Sequence, residues 1–325
     1  MSAISDRPGA DLLGKRVTIR LRDPEGGFRD IVGILESETT IRKRDGSLAQ
    51  FAPEKIAIWR EIIAPPEKAG RGAPLSLRIR EIELAASAAW PAAEQVRMGD
   101  WLLRATGKLT FRANSVLPLG EPPYGNPGKP LQEAIDEVVA FYQERQLTPV
   151  FHIPLPTYVE LDEALALQGW QKKVLVLVMV TDIKPPFDAD ESDGVWEVED
   201  APTDEWLSVQ NDHGVKEIMK RAPGIYVGLR IDGDLVAVGR GANYEKWTTL
   251  NRLFVREDYR GRGLGRELVR RILQEAHSQG ATKALLQVDT KNVVAIKLYQ
   301  RLGFTEHHKY LYRTYQPKLQ LSESC

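Results

Sequence analysis

In "KRVTIRLRD" apolar and polar residues alternate, which puts Val17, Ile19 and Leu21 on one face, the pattern of a half-buried strand. "RDIVGILES" and "EKIAIWREI" read as further strands. In "TTIRKRDGSLAQF" the pair Asp45–Gly46 sits between two β-like runs and marks a hairpin. Short strands joined by tight turns predict a small all-β barrel of SH3-like type over residues 1–64. The prolines, glycines and charges of "APPEKAGRGAP", Ala64 to Pro74, predict a linker over 65–75.

Beyond it the period lengthens, and the pattern occurs twice. "LQEAIDEVVAFYQERQLT" and "GRELVRRILQEAHSQGAT" lie 134 positions apart. Ala134, Ile135, Val138 and Val139 match Leu268, Val269, Ile272 and Leu273, one amphipathic stripe in one phase. Gly99-Asp100 answers Gly233-Asp234, and "LALQGW" answers "YQRLGF", at the same offset. A constant offset predicts two copies of one α/β unit, over 76–186 and 194–325. Each copy runs strands, helix, strand, helix, strand. The apolar run "VLVLVMV", Val174 to Val180, is far too short to span a bilayer and reads as a buried strand.

Composition narrows the function classes. The 325 residues suit two or three domains. A formal net charge of −1 gives no chain-wide attraction to nucleic acid or acidic membranes. "IRKRDG" in the first domain is basic, but residues 11–62 hold ten Lys/Arg against nine Asp/Glu, so a solvated hairpin is expected. The single cysteine, Cys325, permits no internal disulfide, and the N-terminus carries no signal-like apolar core. Both fit a cytoplasmic protein. The five histidines show no metal spacing, and His307 and His308, adjacent on a strand, are expected to face opposite ways. No metal is expected.

The chemistry gathers in "DYRGRGLGREL", Asp258 to Leu268. A strand, "RLFV", precedes it and a helix follows. Amides at a helix start have no intrahelical partner and sit at the positive end of the dipole, which suits a phosphate. Arg260 and Arg262 are placed to neutralise phosphate charge. A Walker loop is excluded because the Lys is missing, and a dinucleotide fingerprint because position 266 is Arg. What remains is Arg260-x-x-Gly263-x-Gly265, followed by Asn292, Ala295, Leu298, Tyr299, Gly303 and Phe304 in "NVVAIKLYQRLGF".

These two motifs, in this order and spacing, resemble the GCN5-related N-acetyltransferase family over residues 194–315. The whole chain resembles bacterial proteins with an SH3-like domain ahead of two acetyltransferase-like units. The resemblance implies acetyl-CoA as acetyl donor, with its pyrophosphate on the amides of Arg260, Gly261, Arg262, Gly263, Leu264 and Gly265. The pantetheine arm would run beside Phe254 and Val255, Asn292 would contact it, and Tyr299 would stand near the sulfur as general acid. Asn292 also reads as a plain N-cap, and Tyr299 as a packed helix residue. An amine, of a small molecule or a protein, would attack the thioester directly. "TTLNRLFV" carries no carboxylate to act as base. Glu245, just before it, and a water relay are the alternatives.

The first copy has "EPPYGNPGKPLQE" where the second has its glycine loop, and Leu165 and Tyr158 where the second has Tyr299 and Asn292. It is expected to keep the fold, lose the cofactor site and wall one side of the acceptor cleft. Tyr226, Trp247, Tyr310 and Tyr312 are the aromatic candidates for that cleft, with core packing an equal alternative for each. The competing reading is a CoA-binding sensor or adaptor that recruits a partner through the SH3-like domain.

Overall fold

The computed structural model describes residues 8–24, 26–62, 68–107, 110–185, 194–211 and 213–315. Cys325, the end of the expected first domain (63–64) and the first residues of the expected linker (65–67) lie outside the described residues. The chain divides into two compact units, Met1–Glu67 and Lys68–Cys325. Among the described residues no helix is long and apolar enough to cross a membrane.

The first unit is all-β. Strands β1 (Arg16–Arg22), β2 (Phe28–Ser37), β3 (Thr40–Arg42), β4 (Leu48–Gln50) and β5 (Ile56–Glu61) form one antiparallel sheet in the order β4-β3-β2-β1-β5. The alternation seen in the sequence is realised: Val17, Ile19 and Leu21 are buried on the face that also takes Ile31, Leu35 and Ile41. Closure into an SH3-like barrel is not found. Among the described residues no ladder joins β4 to β5, and β3 and β4, at three residues each, are too short to carry the sheet round.

In the second unit, α1 (Leu75–Ala89) precedes β6 (Glu94–Met98), β7 (Trp101–Ala105), β8 (Val116–Pro118), α2 (Leu131–Glu144), β9 (Val150–Leu155), α3 (Val159–Leu167) and β10 (Gln171–Asp182). The later half follows with β11 (Val195–Glu199), α4 (Asp204–Ser208), α5 (Lys216–Met219), β12 (Ile225–Ile231), β13 (Asp234–Tyr244) and β14 (Trp247–Val255). It ends with α6 (Leu264–Ser278), β15 (Lys283–Asp289), α7 (Val293–Arg301) and β16 (Thr305–Thr314). The sequence pattern does not single out α1.

All eleven strands form one sheet, ordered β11-β12-β13-β14-β15-β10-β16-β9-β8-β7-β6. The final strands of the two halves are exchanged. β10 pairs with β15 of the later half, and β16 pairs with β9 of the earlier one; the two also pair antiparallel with each other. This explains the run "VLVLVMV". Leu177 and Met179 pack into the cluster of α6 and α7, while Val176, Val178 and Val180 pack against Ile82, Ala85 and Ala86 of α1 on the opposite face.

The seam is polar at its centre. Glu83 of α1 is 1% exposed and receives His308 Nε2 at 2.8 Å, and His152 Nε2 approaches its other oxygen at 3.3 Å. Burial pushes the Glu83 carboxyl up, but the two imidazoles outweigh it and hold the group below the usual carboxylate range. His307 and His308 do not face opposite ways. The β10–β16 register slips by one residue at His307, and the bulge brings the two Nδ1 atoms to 2.8 Å.

Candidate active site

The site lies where two neighbouring strands part. β14 and β15 pair in parallel from Trp247 with Lys283 to Leu250 with Leu286, and there the ladder ends. Yet β14 continues to Val255 and β15 to Asp289. The facing edges of 251–255 and 287–289 therefore carry backbone donors and acceptors without a cross-strand partner, and a cavity of about 520 Å³ fills the wedge.

A bulge shapes one wall. Val238 pairs with Phe254 and Arg240 with Asn251, so Arg252 and Leu253 together oppose Gly239 alone. Arg252 takes φ +57°, rare for a residue with a side chain. A Cβ on Gly239 would lie 2.7 Å from the Leu253 Cδ2 and 2.8 Å from the Ile272 Cδ1, so glycine lets these side-chain ends pack directly over the bulge. Gln210 Nε2 donates to the Arg252 carbonyl at 2.6 Å and holds the bulge in place.

From Val255 the chain passes through a 3-10 turn, Glu257–Tyr259, into α6. Gly261 and Gly263 have φ of +80° and +82°, and a Cβ at either would meet nothing. Glycine is needed there for the backbone angle, not for room. Among the described residues the amides of 261–265 make no backbone hydrogen bond, which leaves a row of donors at the start of a 15-residue helix.

The two arginines are turned back on the protein. Arg260 Nε donates to the Val255 carbonyl at 3.1 Å and a terminal nitrogen reaches Glu257 at 3.1 Å, with the guanidinium over the Phe254 ring. Arg262 donates to the Asp258 carbonyl at 3.2 Å and covers Tyr259. Free amides, more than these side chains, are what the loop presents.

Asn292 and Tyr299 share the cavity with Asn251–Leu253. Asn292 is the N-cap of α7, its Oδ1 accepting from Ala295 N at 3.1 Å. Tyr299 is 9% exposed, its hydroxyl has no hydrogen bond among the described residues, and burial pushes that hydroxyl up to about 12. Phe254 and Val255 follow directly from the bulge and lead to the glycine loop.

Other expectations fall elsewhere. Glu245 sits in the turn between β13 and β14, about 20 Å along the strand from the wedge at 3.3 Å per residue. It does not line the cavity. Tyr310 and Tyr312 do line it, whereas Tyr226 is buried against Trp206 and Trp247 donates to Glu81 at 2.6 Å.

Among the lining residues that sequence reasoning missed, Asn251, Gln287, Trp90 and Arg112 bear most on the chemistry. The side-chain amides of Asn251 and Gln287 are buried, and neither the oxygen nor the nitrogen of either has a partner. Trp90 and Arg112 reach in from the earlier half. For Asn251 the signal was its place on the strand that lacks a carboxylate; no local signal marks the other three.

The family described as "Probable histone acetyltransferase Rv0428c C-terminal" matches residues 77–313. The protein named probable histone acetyltransferase Rv0428c, of Mycobacterium tuberculosis (strain ATCC 25618 / H37Rv), is 30% identical over 319 residues, covering 91% of this chain and 93% of that protein. A Bacillus subtilis (strain 168) protein named uncharacterized N-acetyltransferase YobR is 31% identical over 246 residues, covering 71% of this chain and 97% of the relative. A solved GCN5-related N-acetyltransferase from Kribbella flavida aligns over 73% of this chain and 95% of its own, with a TM-score of 0.57 and 16% identity, a likeness of fold. Such matches extend across both halves of the second unit, and on them this chain belongs to the Rv0428c C-terminal family and is a GCN5-related N-acetyltransferase, an acyltransferase.

Proposed function

We propose that this chain moves the acetyl group of acetyl-CoA to a primary amine held in the β14–β15 wedge. The observation that carries the reading is the wedge itself: an unpaired strand edge running from the cavity toward a helix start with free amides. A pantetheine arm bears amides that pair with the edge at Phe254 and Val255 as a sheet partner would. The pyrophosphate then falls on the 260–265 loop, with Asn292 beside the arm.

The amine nitrogen attacks the thioester carbonyl, the N–C bond forms and the C–S bond breaks. A backbone N–H of the bulged β14 segment stabilises the oxyanion. Tyr299, at about 12, stays a phenol throughout the physiological range. A thiol titrates near ~8.5, so complete transfer from this phenol to the sulfur is uphill, and Tyr299 acts by donating a hydrogen bond as the thiolate leaves. Asn251 and Gln287 offer amide oxygens that orient the amine, and its proton departs through water.

In this reading the earlier half, 76–186, keeps the fold without the cofactor site, and 194–325 is catalytic. In this reading the protein works in the cytoplasm. The lack of a β14 carboxylate favours a second reading, a CoA-liganded sensor; acetylation of any amine separates the two.

The test is calorimetric titration of acetyl-CoA into the wild type and into Arg260→Ala/Gly263→Pro. Proline cannot adopt the +82° angle of Gly263. Tight binding that the variant loses by about 100-fold or more is expected. No binding to the wild type rejects both readings.

A further inference from the structure

Two buried donors of the earlier half line the cavity without an acceptor. Trp90 is 3% exposed and its Nε1–H makes no hydrogen bond; Nε of Arg112 is buried and equally unpartnered. They come from separate segments, the end of α1 and the connection between β7 and β8, yet Arg112 Cζ lies 5.9 Å from the Trp90 ring centroid. Buried donors almost always find an acceptor, and a buried cation almost always finds an anion. The protein does not supply one here. The neighbouring Tyr310 and Tyr312 phenols favour the charged form of Arg112, and among the described residues it forms no ion pair with a carboxylate. Glu83, whose field reaches it, is engaged by His308 and His152. Among the described residues Asp289 is the one acid of the lining, and it accepts from Lys291 N at 2.8 Å.

The wall that bears these donors is firmly built. Arg240, fully buried, donates to the Ala89 carbonyl at 2.9 Å and to the Met219 and Ala222 carbonyls at 3.2 Å each, so helix-end carbonyls serve as its counter-charge. This fixes the end of α1 and with it Trp90. The facing wall is neutral and offers both kinds of group, since Asn251 and Gln287 hold unpartnered amide oxygens and amide nitrogens.

The geometry points to a carboxylate subsite made by Trp90 Nε1–H and the Arg112 guanidinium, so that the acceptor is an amino-acid-like molecule carrying both an amine and a carboxylate. The inference rests on the acetyl-transfer reading above. The carboxylate satisfies both orphaned donors, as arginine pairs best with such a group. The amine then lies toward the amide oxygens and Tyr299. A polyamine gains nothing from the donors and meets the guanidinium charge.

The test compares matched pairs that differ only in a carboxylate, phenylalanine with phenethylamine and lysine with cadaverine. Turnover by the full chain is measured with saturating acetyl-CoA. In parallel, N-acetylphenylalanine and N-acetylphenethylamine are titrated into the CoA-loaded protein, a readout that needs no turnover. The expected result is that the wild type prefers a carboxylate-bearing member by at least about 30-fold, that Arg112→Gln brings the ratio near one, and that Arg112→Lys falls between. Acetyl-CoA affinity, measured in each variant, reports that the fold and donor site are intact. Equal or better use of the decarboxylated members overturns the subsite and leaves acetyl transfer standing, as does an unchanged ratio in Arg112→Gln. Failure of every carboxylate-bearing probe to bind or react overturns it too, while acetyl-CoA binding to the same sample shows whether the broader reading has failed with it.

Discussion

Both halves of the second unit open a parallel ladder toward a helix start, and they use the opening in opposite ways. In the later half β14 and β15 part around a cavity of about 520 Å³. In the earlier half β8 and β9 pair only at Val116 with Phe151, and aromatic rings pack around that point. Trp101 is fully buried edge-on against Phe151, and Tyr158 is 3% exposed. Their polar ends are satisfied by the loop itself, Trp101 Nε1 on the Tyr124 carbonyl and the Tyr158 hydroxyl on the Gly120 carbonyl, both at 2.7 Å. Tyr158 stands where the later half has Asn292, and Leu165 where it has Tyr299; the helices α3 and α7 are each nine residues long. Each large ring buried in such a place contributes roughly 1.5–3 kcal/mol. The earlier half fills this place with core, whereas the later half leaves polar groups of Asn251 and Gln287 unpaired in an open wedge.

The largest effect tests whether the halves can be separated. A chain beginning at residue 191 loses β10, which lies between β15 and β16, and loses the α1 wall. It is expected to show no cooperative unfolding transition by circular dichroism; a soluble, fully active fragment would refute the shared sheet. Next comes the Tyr299 and Leu165 difference. Tyr299→Phe is expected to lower kcat by roughly 100-fold, with acetyl-CoA affinity within about twofold, because a phenol hydrogen bond acts in the transition state only. Equal loss in affinity would make Tyr299 a packing residue.

The smallest effect sits at the seam. Burial, with the charges of His308 and Arg78, lowers His307 to about 4, against ~6.5 in an unfolded chain. The depressed value means that His307 contributes stability above pH ~6.5, and that this is lost as pH falls toward 4, since the unfolded state takes the proton first. The melting temperature should drop by about a few degrees over that window, and His307→Gln should flatten the drop. An unchanged slope would place the acid sensitivity elsewhere.

Features set by near neighbours in the chain are legible in the sequence. The amphipathic stripe of Leu268, Val269, Ile272 and Leu273 depends on helical spacing, and all four are buried. Gly263 before α6 and Asn292 before α7 follow from backbone angle and capping, which neighbours in sequence decide. The 134-residue offset reappears in the start of α3 at Val159 and α7 at Val293. The expected barrel fails because alternation reports which face of a strand is buried but not whether the sheet closes. Helix α1 escapes a pattern reading because its buried residues, Ala85, Ala86 and Ala89 among them, carry little hydrophobic contrast.

The sequence by itself determined the alternating strands, the amphipathic helices and the helix-start glycine loop, since each is a property of residues a few positions apart. Only the tertiary structure decided the exchange of β10 and β16, the bulge that turns His307 toward His308, and the arrival of Trp90 and Arg112 in the later half's wedge. Those depend on strand order and on which groups remain unpaired after packing. Pairing partners more than a hundred residues apart leave no periodic trace in the chain.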